Sequence, residues 1–352
     1  MQSAEVHSVR YKNTVLRIAG LLAGLLVLLL VLNTVFSPKR WYPEGYIQDR
    51  NARTAMLSCE EPETIDIINV GDSESGMDFN PMTIWETKGY TSLNIGCDGL
   101  TLPECYTVLK KMFRTQSPRV VLVESNLLYR SEKKRLAKSM TAEFFYDAFE
   151  GLRFHNVWKY VWKERGYRLY FKGYILNGSS NPYEGETDYM KPTEEAEDIQ
   201  ATPAFWLERI CSLCRKHGAE PVLWSAPSPI NYHMAKHNAL QYLADKNGIR
   251  YLDCNLSVDE IGLDWSKDTL DKGDHLNCFG AEKTTAWLTK RIEEDAELSD
   301  HRGEASYARA WDPVLERYLE MKEMMDGYHS ENLPEDVKDY IYNGGDFREP
   351  GF

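Results

Sequence analysis

The chain has 352 residues and a formal net charge of −13, long enough for one large domain or two modest ones with a proper core. That charge leaves no basic footprint for nucleic acid, and neither a P-loop nor an HExxH metal motif occurs. No cofactor is called for, so any chemistry comes from side chains.

The first element is apolar. From Ile18 to Pro38 there is no charged residue, and "IAGLLAGLLVLLLVLNTVF" is almost wholly aliphatic. About 20 such residues cross the hydrocarbon core of a bilayer as a helix. A cleaved signal peptide competes with this reading, but "LNTVFSPKRW" offers no small-residue cleavage pattern. Residues 14–36 are therefore expected to be an uncleaved transmembrane anchor. Arg10, Lys12 and Arg17 precede the span and Lys39 and Arg40 follow it. The positive-inside rule then makes 1–13 a cytoplasmic tail and puts the bulk outside, with Trp41 and Tyr42 suited to the outer interface.

After a linker (37–60), strands and helices alternate. A strand over 65–71 leads to a helix at 81–88, signalled by Asn80 as N-cap and Pro81 at the first helical position. "YTSLNIG" (90–96) reads as a second strand, and Thr101 with Glu104 has capping-box spacing before another helix. "RVVLVES" (119–125) is a third, centrally placed strand. Residues 141–165 read as helix. Residues 166–198, rich in Gly, Asn, Ser and Tyr, read as an irregular excursion, in which Tyr167, Tyr170, Tyr174 and Tyr183 either pack into the fold, as loop aromatics more often do, or form an aromatic wall for a sugar. A helix (201–217), a strand (221–227), a helix (233–247), a strand (250–254) and a helix (277–292) capped by Asn277 complete the order. The expected fold is α/β: a doubly wound, mainly parallel, three-layer sheet of flavodoxin-like type over 61–298. One transmembrane helix precedes it and an acidic helical appendage (299–352) follows.

Seven cysteines at irregular spacings do not make a disulfide scaffold, and Cys211 and Cys214 in "ERICSLCRKHG" read as buried helix thiols.

In an open α/β sheet the active crevice lies beyond the carboxyl ends of the strands. Ser73 follows the first strand, Gly96 ends the second, Asn126 follows the third, and His275 lies in the loop after the last. A serine needs an adjacent base, and the base needs an orienting carboxylate. Of eight histidines, His275 in "DTLDKGDHLNCFGAEK" has Asp271 and Asp274 beside it. His217, His233 and His237 read as solvated helix or loop-edge residues. Ser75 is a rival to Ser73. A metal held by Asp271, Asp274 and His275 is not expected, since nothing else supplies ligands.

Gly71-Asp72-Ser73 after a first strand, Gly96 after a second, and a late Asp/His loop resemble the SGNH (GDSL-type) hydrolase superfamily. With the single anchor, the chain is similar to bacterial membrane-anchored cell-surface acyl-transfer proteins, the D-alanyl transfer and alginate O-acetyltransferase groups. The resemblance covers about 61–298. It implies Ser73 as nucleophile, His275 as base, and an oxyanion hole of the Ser73 and Gly96 backbone N–H groups. Asn126 is the candidate for the family's asparagine, with Glu124 a rival occupant. The family usually places its aspartate three residues before the histidine, where this chain has Lys272, so Asp271 and Asp274 compete and Asp271 is favoured. The implied function is acyl transfer: an O-acyltransferase or esterase on cell-envelope polysaccharide, a transferase drawing on a multi-pass membrane acyltransferase partner. A non-catalytic glycan-binding or scaffold protein is the alternative.

Overall fold

The strands form where apolar residues run unbroken, because both of their faces are covered. The computed structural model describes residues 2–36, 60–129, 133–155 and 171–325. Its elements, in chain order, are α1 (Gln2–Val35), β1 (Ile67–Val70), α2 (Ser73–Asp78), α3 (Pro81–Lys88), β2 (Ser92–Asn94), α4 (Leu102–Met112), β3 (Val120–Glu124) and α5 (Lys133–Ala148). There follow α6 (Ala201–Lys216), β4 (Glu220–Ser225), α7 (Met234–Asn247), β5 (Arg250–Asp253), α8 (Val258–Ile261), α9 (Cys278–Glu293) and α10 (Ala305–Met325).

All five strands are parallel, in the order β2-β1-β3-β4-β5. Side chains alternate between two cores, as the two-residue period of a strand requires. Ile68, Val70, Val121, Val123 and Leu223 face one core, which α4, α6 and α7 cover. Ile67, Val120, Leu122, Val222 and Trp224 face the other, with α9 supplying Trp287, Leu288 and Ile292. This is the expected three-layer α/β fold. The chain leaves β1 for β2 on one side and passes to β3 on the other, so the order reverses at β1. Loops after β1 and β3 diverge there and open a crevice at the carboxyl edge.

Local signals account for most helix ends. Asn80 accepts from Met82 N at 3.0 Å, the Thr101–Glu104 capping box is formed, and Asn277 accepts from Phe279 N and Gly280 N. One helix absent from the sequence reading is α2. It is only six residues long, capped by Asp72 Oδ1 on Glu74 N (3.1 Å). Gly71 lets it start so close to the sheet: a Cβ at Gly71 would lie 2.3 Å from Ser75 Cβ and 2.6 Å from Glu124 Cβ. The predicted 141–165 helix instead runs Lys133–Ala148 and ends in a 3-10 turn, Glu150–Leu152. Residues 156–165 of that prediction, residues 37–59 of the linker, Tyr167, Tyr170 and residues 326–352 of the appendage lie outside the described residues.

The start of the acidic appendage is core. In α10, Trp311, Tyr318, Met321 and Met325 are buried. Trp311 packs on Trp85 with ring centroids 5.3 Å apart, and Tyr318 receives a hydrogen bond from Asn80 Nδ2 (2.8 Å). Cys211 and Cys214 are buried free thiols, and burial pushes Cys211 up to about 11.

Candidate active site

Ser73 is the first residue of α2 and His275 sits two residues before the cap of α9. Ser73 Oγ and His275 Nε2 lie 2.9 Å apart, with both residues less than a tenth exposed. On the far side of the ring, His275 Nδ1 is 2.7 Å from Asp271 Oδ2, and Asp271 Oδ1 accepts the His275 backbone N–H, also at 2.7 Å. Asp274 Oδ2 is 3.6 Å from the same Nδ1, beyond hydrogen-bond reach, and its other oxygen accepts from Asn231 Nδ2. The geometry brings Ser73, His275 and Asp271 into one line.

The intervening turn explains how a carboxylate four residues back reaches the ring. Lys272 (φ +62°) and Gly273 (φ +90°) are both left-handed, folding Asp271 back onto His275. Thr269 Oγ1 accepts from Gly273 N, Leu270 N donates to His275 O, and Ser228 Oγ donates to Gly273 O. The excursion ties the same loop down, for Asn181 Nδ2 donates to Leu270 O and Lys272 N donates to Asn181 O.

Ser75, the rival nucleophile, is fully buried, and its Oγ is held by Asn69 Nδ2 (2.6 Å) and Asn94 Oδ1 (3.3 Å). Asn94 is the hub of this buried set, donating to Ser75 O and Phe79 O and accepting the Gly96 N–H at 2.9 Å. The Gly96 donor is thus already engaged within the protein. What the glycine supplies is room: a Cβ there would lie 2.2 Å from Gly76 N. Asn126 Nδ2 donates to Glu74 Oε1 (2.9 Å), on the residue after Ser73, and Asn231 Nδ2 donates to the same oxygen. Asn231 therefore links Asp274 to Glu74. Glu124 points inward, accepting from Asn126 N (2.8 Å) and Tyr232 OH (2.6 Å).

Two charge effects shape the site. Burial alone would lower the His275 pKa. The Asp271 hydrogen bond and the charges of Asp78, Asp271 and Asp274 outweigh it and raise the pKa to about 9. Asp78, at the end of α2, accepts the Leu276 N–H at 2.9 Å, and its complete burial holds its carboxyl well above the usual range. Asp72, Glu74 and Glu124 form a second, fully buried carboxylate group, their oxygens within 4.8 Å of one another. Burial first and the Asp72 charge second raise Glu124 to about 8, so the group accommodates its crowding with a proton. Asp271, Asp274 and His275 also come within that distance of one another, but His275 Nδ1 is committed to Asp271.

Sequence reasoning missed Asn69, Glu74, Asp78, Asn94 and Asn231. Glu74 and Asp78 lie on the six-residue helix that follows Gly71-Asp72, which buries both of them. The asparagines carry no local signal. Tyr174 is 4% exposed and packs edge-on against Tyr318, so it takes the packed reading and belongs to the core. One expectation is corrected. His237 is largely buried, its Nδ1 2.7 Å from Asp253 Oδ2 and its ring stacked on Tyr251, so it is not solvated. Tyr183 is half-buried against the Asp271–His275 loop, its ring against Gly273 and edge-on to Trp265.

No family model matches the chain, and no curated protein matches it. Among solved structures it is similar to a candidate acylhydrolase of Bacteroides fragilis (13% identity, TM-score 0.36, 72% of this chain and 97% of that one). It is also similar to a GDSL-like lipase of Bacteroides thetaiotaomicron (11%, TM-score 0.34, 70% and 98%). A psychrotrophic esterase, EstA, of Pseudoalteromonas sp. stands alongside these (12%, TM-score 0.35, 65% and 97%).

Proposed function

We propose that the chain is a serine-dependent O-acyltransferase or esterase that forms an acyl-enzyme on Ser73 and acts outside the cell on envelope polysaccharide. The observation that carries this reading is the Ser73–His275–Asp271 relay, with both links at hydrogen-bond distance. His275 Nε2 takes the Ser73 proton as Oγ attacks an ester carbonyl, and Asp271 stabilises the imidazolium that results. The oxyanion is met by the Ser73 backbone N–H and by the second hydrogen of the Asn126 amide, since the Gly96 N–H is spent on Asn94. Each such donor contributes on the order of 3 kcal/mol to the transition state. Collapse of the tetrahedral intermediate expels the alcohol, protonated by His275. Water or a sugar hydroxyl then takes the acyl group in a second passage through the same states.

The anchor supports the location. Tyr11–Val35 is a 25-residue helix whose most apolar 18-residue stretch has a mean hydropathy of 2.8, and none of that stretch is buried against the protein. With the tail cytoplasmic, the site faces the envelope, and a transferase there receives its acyl groups from a multi-pass membrane acyltransferase. Tyr183 beside the catalytic loop, with Ile230 exposed next to Asn231, gives a rim on which a sugar can stack. The glycan-binding alternative drew its strength from Lys272 standing at the family's acid position. Asp271 on the His275 ring weakens it.

The test is full-length protein in detergent with p-nitrophenyl acetate and increasing soluble polysaccharide. Acetyl esters appearing on sugar at the expense of free acetate mark a transferase, and acetate alone marks an esterase. If neither product depends on Ser73, the proposal fails.

A further inference from the structure

We propose that α5 is a membrane-surface helix, lying in the outer headgroup layer of the same bilayer that α1 crosses. The proposal rests on the anchor reading given above. It starts from where α1 ends. The uncharged run Ile18–Phe36 spans roughly 28 Å at 1.5 Å per residue, close to the ~30 Å hydrocarbon core, so the outer boundary falls near Val35. Just short of that boundary, Asn33 Oδ1 accepts the Gly151 N–H at 2.7 Å. The backbones are in close contact there, since a Cβ on Gly151 would lie 2.6 Å from Asn33 Cα and 2.8 Å from Leu32 O. The Glu150–Leu152 turn is thereby held at the membrane boundary, and α5 ends only two residues before it.

The composition of α5 fits that position. One face packs inward, with Leu136 and Glu143 buried and Glu143 paired with Arg153. The opposite face shows Met140 (42% exposed), Phe144 (73%) and Phe145 (51%), with Ala137 and Ala148 exposed between and beyond them. No charged residue interrupts that stripe. Lys134 and Lys138, also exposed, flank its start, where ammonium groups meet headgroup phosphates. Asp147, the acidic residue nearest the stripe, is turned to Lys110 and Arg114. An aromatic, cation-flanked helix next to the exit of a spanning helix has the bilayer within reach, and desolvating two phenylalanines there offsets their exposure.

Photocrosslinking of the full chain tests this. Benzoylphenylalanine replaces Phe144 or Phe145, and in controls Leu25 in α1 or the exposed Tyr242 on α7, with each protein in nanodiscs of phosphatidylethanolamine and phosphatidylglycerol. After irradiation, intact mass is expected to rise by one lipid for the Leu25, Phe144 and Phe145 proteins and to stay unchanged for Tyr242. Adducts at Leu25 without adducts at Phe144 or Phe145 would overturn the surface helix and leave the anchor standing. No adduct at Leu25 would remove the anchor and the proposal together. A protein–protein crosslink at Phe144 would overturn it by assigning the face to a second copy.

Discussion

Replacing Asp271 by Asn separates the two candidate acids. Asp271 makes two 2.7 Å contacts to His275, whereas Asp274 stands 3.6 Å from Nδ1 and has an oxygen committed to Asn231. A unit charge pair about 4 Å apart is worth ~4 kcal/mol at an effective dielectric of 20. The Asp271 side chain is 41% exposed, so solvent screening reduces this to about 2–3 kcal/mol. That corresponds to roughly a 30- to 200-fold loss of kcat in Asp271→Asn. Asp274→Asn, which removes no hydrogen bond to the ring, should cost under about fivefold. Initial rates with p-nitrophenyl acetate at saturation, with thermal melts to confirm folding, give both numbers. Equal losses, or a larger loss in Asp274→Asn, would refute the assignment.

Because His275 must be neutral to act as base, a pKa of about 9 leaves activity rising about tenfold per pH unit up to that value. Asp271→Asn removes the hydrogen-bonded carboxylate that holds the pKa up, so the limb should move toward 6.5; an unmoved limb in a pH–rate profile would contradict this. The same shift has a stability sign: the folded pKa is raised, so the stabilisation is complete below about 6.5 and is lost as pH rises through about 9. Melts of the wild type against His275→Gln should differ most at pH 6 and converge above pH 9. Trp311→Ala should cost about 3–5 kcal/mol in urea unfolding, because the ring is 1% exposed against Trp85; no change would detach α10 from the core. Gly71→Ala forces a Cβ to 2.3 Å from Ser75 Cβ and should cost about 3 kcal/mol, read in the same assay.

The features legible in the sequence are those with local causes. Apolar runs, the Asn80–Pro81 and Thr101–Glu104 caps, and Asn277 before α9 each act within a few residues, and the strand–helix alternation they delimit dictates a parallel sheet. Ser73 and His275 could be singled out because the topology of such a sheet sends both to one edge. Spacing favours Asp271 over Asp274 without settling the choice, because it depends on two consecutive left-handed residues, one of them a lysine. The buried amides Asn69 and Asn94 look like ordinary strand polar residues until α2 is laid across them. The sequence leaves Tyr174 open and makes His237 solvated for the same reason: burial under α10 and against β5 is a tertiary fact. The acceptor that claims the Gly96 N–H lies two residues away, and its rotamer is set by Ser75 and Phe79 across the turn.

The central claim is a covalent acyl group on Ser73, and pre-steady-state mixing of the full-length protein with p-nitrophenyl acetate, followed by intact mass and peptide mapping, addresses it directly. The account predicts a burst of nitrophenol and a single acetyl group on the peptide containing Ser73, both absent in Ser73→Ala. Equal slow release from the two proteins, with no adduct, would contradict it.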